Sequence, residues 1–409
     1  MKVFIKTFGC RVNQVESQAI REQFTRGGAD FVANFEEADL CLLNTCTVTA
    51  KADSDVEKLT RQISSRNPAA RLILTGCYAA AHEGKIKTAF PNAEIINKYD
   101  IGKEVFHTED VCWTVSGAEG RSRAFVKIQD GCDCFCSYCI VPFARNRKVS
   151  KPMLDTLFEI EKLVAAGFKE IVLTGINIGN YKCPVTGVDL AVLAGEIFKL
   201  EGKFRIRFSS IELNTVTDAL LKAAKEGGDK FCNYFHIPLQ SGSTKILKDM
   251  NRHYSTEQYA ARIAQIRAMF PGIGIYADII AGYPTETEED FTAAYKFVEE
   301  LELSGLHVFS YSSRPGTAAA QLPQHSAEVI KQRADKLREL DASLRANFAK
   351  AQIGNSVQVL IERTKNSVTT GVAGNFVRIN FNTPARQGDL VNAKVISSND
   401  AECTAEYEK

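Results

Sequence analysis

From residue 124 onward the chain repeats one rhythm six times: a short apolar run with strand character, then a helical pattern. The runs are AFVKIQD, EIVLTGINI, RIRFSSIEL, YFHIPLQS, GIYADIIAGYP and GLHVFSYS, separated by stretches such as PMLDTLFEIEKLVAAG and STEQYAARIAQIRAMF. Successive β/α units bury their apolar faces by pairing strands in parallel and covering the sheet with helices. Six of them predict an open or partial (β/α)6 barrel, a scaffold that places its chemistry at the C-terminal ends of its strands.

The flanking segments obey different rules. Residues 1–118 also alternate strands (KVFIKTFG, DLCLLNT, RLILTG) with helices, which predicts an α/β domain built on a doubly covered parallel sheet. SGAEGRSR, 116–123, reads as a linker. Residues 326–350 form one long charged helical pattern, and five short β-alternating runs follow it: SVQVLIE, SVTTGVAG, FVRINF, DLVNAKVIS and CTAEY. That spacing predicts a small, OB-like β-barrel. The domains expected are therefore 1–118, 119–349 and 350–409.

A net charge of +1 gives no global attraction to a polyanion, so any nucleic-acid contact must come from a local patch. The opening MKVFIKTFGC lacks the apolar run of a signal peptide, and no stretch approaches a membrane span. A cytoplasmic protein without membrane contact is expected, and in that compartment 12 cysteines point to metal or redox chemistry rather than disulfides.

Four of those cysteines fall in DGCDCFCSYCIVPFARNRK, 130–148. Cys132, Cys136 and Cys139 have the spacing C-x3-C-x2-C, with Cys134 off that pattern. A 4Fe-4S cluster normally takes four thiolates, so three from one loop leave one iron open to a ligand. A zinc knuckle built on Cys136-x2-Cys139 is the competing reading. Cys10, Cys46 and Cys77 each end a predicted N-terminal strand, in KTFGC, LLNTC and ILTGC. Neighbouring parallel strands bring such ends together, so these thiols either converge on a second open cluster or are three small buried residues. Cys41, Cys112, Cys183, Cys232 and Cys403 match no ligand position, and the six histidines form no ligand-like pair.

The loop with Tyr138 before its last cysteine resembles the signature of the radical S-adenosylmethionine (SAM) superfamily. Together with KTFGCRVNQVES, NTCTVTAKADS and LTGCYA, it resembles the methylthiotransferase family over nearly the whole chain. That resemblance implies an N-terminal cluster-binding domain, a radical SAM domain and a C-terminal TRAM domain. It implies two 4Fe-4S clusters, one on Cys132, Cys136 and Cys139 that binds SAM, and an auxiliary one on Cys10, Cys46 and Cys77 whose open iron carries the sulfur to be transferred. Tyr138 would pack on the adenine of SAM. Strand-end residues Gly175, Asn177, Ser210, Glu212, Gln240 and Arg252 are candidate SAM contacts, Gly175 by close backbone approach and Arg252 as a partner of the SAM carboxylate. No catalytic residue beyond the cluster ligands is required, because the cofactors carry the hard steps.

Arg121, Arg123, Lys127, Arg145, Arg147, Lys148 and Lys151 against Asp130 and Asp133 give the region around the loop a charge of +5. A basic rim of this kind suits RNA, with Arg145, Arg147 and Lys148 as the candidate contacts. In the C-terminal barrel Phe376, Phe381 and Tyr407 are the aromatics available for base stacking. FGCRVNQVES and NTCTVTAKADSD look most like the branch that methylthiolates C2 of tRNA N6-threonylcarbamoyladenosine. The alternatives are tRNA N6-isopentenyladenosine, a ribosomal-protein aspartate, or a zinc-containing RNA-binding protein without catalysis. The resemblance further implies tRNA, an electron-donor protein and a sulfur donor as partners, and leaves the oligomeric state open, with a monomer as the expectation.

Overall fold

The computed structural model describes residues 1–107, 113–117, 122–365 and 368–408. Cys112, Arg121 and part of the 116–123 linker lie outside the described residues. The chain divides into two compact units: residues 1–116 with 129–149 and 312–320, and residues 117–128 with 150–311 and 321–409.

The first unit is built on β1 (Lys2–Thr7), β2 (Asp30–Phe31), β3 (Leu40–Thr45), β4 (Arg71–Gly76) and β5 (Ala93–Ile95), all parallel, in the order β2-β1-β3-β4-β5. Alternation along β3 explains why both faces are covered. Cys41 and Leu43 pack with Val56 and Ile63 of the helix Ala50–Arg66, whereas Leu40 and Leu42 pack on the opposite face with Ile20 and Phe24 of the helix Arg11–Arg26. A central strand buried on both faces needs an unbroken apolar run, which LCLL supplies.

The second unit begins with β6 (Ala124–Lys127). Two-residue strands β7 (Gln129–Asp130) and β8 (Val149–Ser150) bracket the cysteine loop along the chain. Then come β9 (Glu170–Thr174), β10 (Arg205–Phe208), β11 (Tyr234–His236), β12 (Gly274–Ala281) and β13 (Gly305–Ser310). They form two three-stranded parallel sheets, β6-β9-β10 and β11-β12-β13, joined by parallel bridges Ile206–Phe231 and Ser210–His236 into one six-stranded arc. A single large apolar cluster fills the space between the arc and its helices. The long helix Ala327–Lys350 docks on β13, where Asp341 accepts from the Leu306 amide at 2.6 Å and Arg345 donates to the Leu306 carbonyl at 2.8 Å.

The C-terminal module is a closed barrel of β14 (Ser356–Lys365), β15 (Val368–Ala373), β16 (Arg378–Phe381), β17 (Leu390–Asn399) and β18 (Glu402–Tyr407), in the order β14-β15-β16-β18-β17. It docks on the six-stranded arc through buried charge. Arg205 donates to the carbonyls of Gln358 (2.6 Å) and Val372 (2.9 Å), and Arg207 to those of Ala373 (3.1 Å) and Gly374 (3.0 Å). Both guanidinium groups also bind the fully buried Glu170, and Arg123 joins them at 3.1 Å. Burial alone would raise the Glu170 pKa, but Arg207, Arg205 and Arg123 hold its carboxyl well below the usual range. Gly274 makes the close approach possible, since a Cβ there would stand 2.0 Å from the Asn375 carbonyl oxygen. No helix among the described residues is long and apolar enough to cross a membrane.

Removing the charge of Glu170 strands Arg205 and Arg207 in a buried site, a change that typically costs about 3–5 kcal/mol. Glu170→Gln is expected to lower the urea midpoint of this unit accordingly and to expose the C-terminal barrel to limited proteolysis. An unchanged midpoint would contradict the structural role given to this network.

Candidate metal centres

The structure brings Cys10, Cys46 and Cys77 to the C-terminal ends of adjacent strands β1, β3 and β4, within the first unit. Two turns are pressed together there. Gly9 has φ +92°, and a Cβ on it would lie 2.5 Å from Cys46 Cβ and 2.6 Å from Cys46 Sγ. Only glycine allows that approach. Asn13, buried one turn into the helix Arg11–Arg26, locks the arrangement by donating to the carbonyls of Phe8 and Thr45, each at 2.9 Å. Cys46 and Cys77 are buried and Cys10 is exposed, so the trio opens on one side. Burial pushes the Cys46 thiol up to about 11, with the neighbouring thiols Cys77 and Cys10 adding to the shift. Cys41, five residues earlier, faces the apolar core.

Cys77 has a charged partner. Arg145, 2 % exposed, donates its Nε–H to Cys77 Sγ at 3.0 Å. Its other nitrogens donate to Glu16 (2.8 and 3.1 Å), Asp130 (2.8 Å) and Asn13 Oδ1 (2.6 Å). Lys98, 6 % exposed, also pairs with Glu16 and Asp130. Burial opposes the charge on Arg145, yet Cys77, Glu16 and Asp130 more than offset it and raise its pKa well above the ordinary value. Two buried cations thus face two buried carboxylates, and a Cys77 thiolate would add a third anion. A cleft of about 350 Å³ adjoins this network, lined by Gly76, Lys98, Tyr99, Phe143, Arg145 and Asn146 among others.

In the same unit, Cys136 of the cysteine loop is buried while Cys132, Cys134, Tyr138 and Cys139 are partly exposed. The Cys139 amide donates to the Cys136 carbonyl at 2.9 Å, and the Ala319 amide ties the loop down through the Ser137 carbonyl at 2.8 Å. The segment that carries Ala319 contributes more than that one bond. Arg314, 6 % exposed, pairs with Asp53 of the helix Ala50–Arg66 at 2.6 Å. In chemical terms both cysteine trios suit a cluster: each offers three thiol donors, the number that leaves one iron of four open.

In the second unit the candidate SAM contacts follow successive strands: Gly175 and Asn177 after β9, Ser210 and Glu212 after β10, Gln240 after β11. Arg252 lies beyond the short helix Thr244–Asp249 and is paired with Glu212, one of its contacts measuring 3.0 Å. It also donates to Tyr254 Oη at 2.9 and 3.1 Å. The two residues read separately from sequence are therefore one ion pair.

Several sequence expectations are corrected. Arg145 cannot touch RNA phosphate, because it is buried as the counter-ion of Glu16 and Asp130. Lys127 is 4 % exposed, Arg123 binds Glu170 and Glu362, and Lys151 pairs with the buried Glu159. Of the described residues in the expected basic rim, only Arg147 and Lys148 are exposed. Arg147 lies over the Tyr99 ring at 5.1 Å, and Lys148 pairs with Asp133. The stacking aromatics fare no better. Phe381 is fully buried and stacks on Tyr407 at 4.4 Å, while Phe376 packs against Tyr234 and Tyr276. Contrary to the absence of a histidine pair in linear spacing, His236 and His307 meet on Asp278. The roles of Asn13, Glu16 and Lys98 escaped sequence reading; the one signal was that Asn13, Glu16 and Ser17 are polar residues on the buried face of a helix.

Two family models match the chain: the uncharacterized protein family UPF0004 over residues 2–97 and the radical SAM superfamily over residues 126–298. The threonylcarbamoyladenosine tRNA methylthiotransferase MtaB of Bacillus subtilis (strain 168) is 34% identical over 429 residues, spanning 97% of this chain and 94% of that protein. MtaB of Chlamydia pneumoniae is 35% identical over 91% of this chain and 90% of its own length. The tRNA-2-methylthio-N(6)-dimethylallyladenosine synthase of Clostridium novyi (strain NT) is 34% identical over 99% of this chain and 96% of its own. Among solved structures, the radical SAM methyltransferase TsrM of Kitasatospora setae with cobalamin and a 4Fe-4S cluster superposes with a TM-score of 0.56 at 12% identity, covering 90% of this chain and 80% of that one, a likeness of fold alone. With these matches the chain belongs to the radical SAM methylthiotransferase family, and it is a tRNA methylthiotransferase.

Proposed function

We propose that the chain adds a methylthio group to C2 of N6-threonylcarbamoyladenosine in tRNA. The observation that carries the reading is the second cysteine trio: Cys10, Cys46 and Cys77 gather at three strand ends with Arg145 hydrogen-bonded to Cys77. Simple SAM cleavage needs one cluster, whereas sulfur delivery calls for a second site with an open iron. The threonylcarbamoyl specificity is supported by the FGCRVNQVES and NTCTVTAKADSD motifs and by the MtaB relatives. Isopentenyladenosine is the second reading, because the Clostridium novyi relative is as similar.

Family members use SAM and 4Fe-4S clusters. When bound, these groups supply reductive cleavage of SAM to a 5′-deoxyadenosyl radical and the sulfur to be transferred. In this reading, Cys132, Cys136 and Cys139 hold the radical cluster, and Tyr138, Gly175, Asn177, Ser210, Glu212, Gln240 and Arg252 position SAM. Cys10, Cys46 and Cys77 hold the auxiliary cluster. Arg145 orients Cys77 and supplies positive charge beside its thiolate, with Glu16 and Asp130 fixing the guanidinium. Arg147 and Lys148 offer exposed cations to the tRNA backbone. The three domains 1–118, 119–349 and 350–409 would carry, in turn, the auxiliary cluster, the radical chemistry and the TRAM barrel. An electron-donor protein and a sulfur donor complete the system.

Mass spectrometry of tRNA nucleosides from a host lacking this gene, with and without its restoration, tests the substrate. The 2-methylthio-N6-threonylcarbamoyladenosine signal is expected only with the gene; a change confined to the isopentenyl analogue overturns the specificity and keeps the chemistry. In purified protein, Cys136→Ala should abolish SAM cleavage, and Cys46→Ala should abolish thiolation while leaving uncoupled cleavage. Product from either variant would falsify the cluster assignments. Replacing Arg147 and Lys148 together by Ala should weaken tRNA binding and reduce the slope of log affinity against log salt by about one to two. The same loss of slope in Arg145→Lys, whose side chain is buried, is not expected.

A further inference from the structure

Among the described residues, one group of histidine, cysteine and acidic side chains has its ligand atoms close enough to hold a single metal ion: His236, Asp278 and His307. They come from three adjacent parallel strands, β11, β12 and β13, with Asp278 and His307 in direct register. Asp278 Oδ1 lies 2.9 Å from His236 Nε2 and 3.2 Å from His307 Nδ1, and all three ligand atoms lie within 4.8 Å of one another. Donors around a tetrahedral ion at a metal–nitrogen distance of about 2.0–2.1 Å stand about 3.3 Å apart. The two imidazole nitrogens stand up to 4.8 Å apart, so closing on an ion calls for a shift of about 1.5 Å shared between the His236 and His307 side chains.

The charge balance singles out the same place. The other buried carboxylates are neutralised by fixed cations: Glu170 by three arginines, Asp130 by Arg145 and Lys98, and Glu286 by Arg333. Among the described residues, Asp278 has no Lys or Arg within ion-pair distance and pairs with two imidazoles. A divalent cation would bring positive charge beside the Asp278 carboxylate, whose side chain is 20 % exposed. Access exists as well. His236 is 8 % exposed and lies deepest, the His307 side chain is 37 % exposed, and Phe309, two residues farther along the same face of β13, is exposed.

We propose that His236, Asp278 and His307 form a binding site for a divalent transition-metal ion, Zn²⁺ above all. Two imidazoles and a carboxylate are the donor set of open zinc sites, and they leave the fourth position to water or to a nitrogen or oxygen donor of a bound molecule. The site is distinct from the cysteine trios and does not depend on the methylthiotransferase reading.

The test uses full-length protein with its iron–sulfur clusters reconstituted, incubated with Zn²⁺ and passed anaerobically into metal-free buffer. Wild type is expected to retain one zinc per chain more than either His307→Ala or Asp278→Asn, with iron and sulfide contents equal in all three. X-ray absorption at the zinc edge should show nitrogen and oxygen neighbours at about 2.0–2.2 Å with the scattering pattern of imidazole. Equal zinc in wild type and both variants overturns the proposal. So does zinc surrounded by sulfur at about 2.3 Å, which would place it on the cysteines. His307→Ala removes a partly exposed side chain, so the comparison survives even if Asp278→Asn fails to fold.

Discussion

Arg145 is the charge around which the first unit is organised. It reaches Glu16 on the first helix, Asp130 at the start of the cysteine loop, Asn13 beside Cys10, and Cys77 at the end of β4. One guanidinium therefore connects the trio of Cys10, Cys46 and Cys77 to the two ends of the segment that carries the other cysteines. Breaking a buried pair costs far more than the pair contributes over an apolar substitute, because it leaves a desolvated charge behind. This asymmetry makes the arrangement specific: Glu16, Asp130 and Lys98 have few other conformations in which every charge stays paired.

The second unit repeats the device with different partners. Glu170 binds Arg205 and Arg207, and those arginines spend their remaining donors on carbonyls of the C-terminal barrel. The planar five-donor guanidinium suits this double duty, and lysine could not perform it. Arg145 in the first unit and Arg123 in the second, both part of the basic rim expected from sequence, serve as internal fasteners. Of the described cations around the cysteine loop, Arg147 and Lys148 are the ones left exposed.

Much of the fold was legible. The six β/α runs gave six parallel strands, the LCLL run gave a central strand buried on both faces, and the five short C-terminal runs gave a closed barrel. The convergence of Cys10, Cys46 and Cys77 could be foreseen as one of two outcomes, since strand ends in a parallel sheet are neighbours whatever their spacing along the chain. What escaped were the polar partners. Asn13 and Glu16 sit in a helix whose pattern reads as ordinary amphipathicity, and Lys98 has no motif at all.

The sequence by itself determined the cysteine spacing and the strand and helix periodicities, because each depends on local chain geometry or on ligand number. Only the tertiary structure decided which charges are buried and with whom: Arg145 inside rather than on the rim, Glu212 with Arg252, and His236 with Asp278 and His307. Those outcomes depend on residues brought together from distant strands and on desolvation once they meet, and neither is written in any local window of the chain.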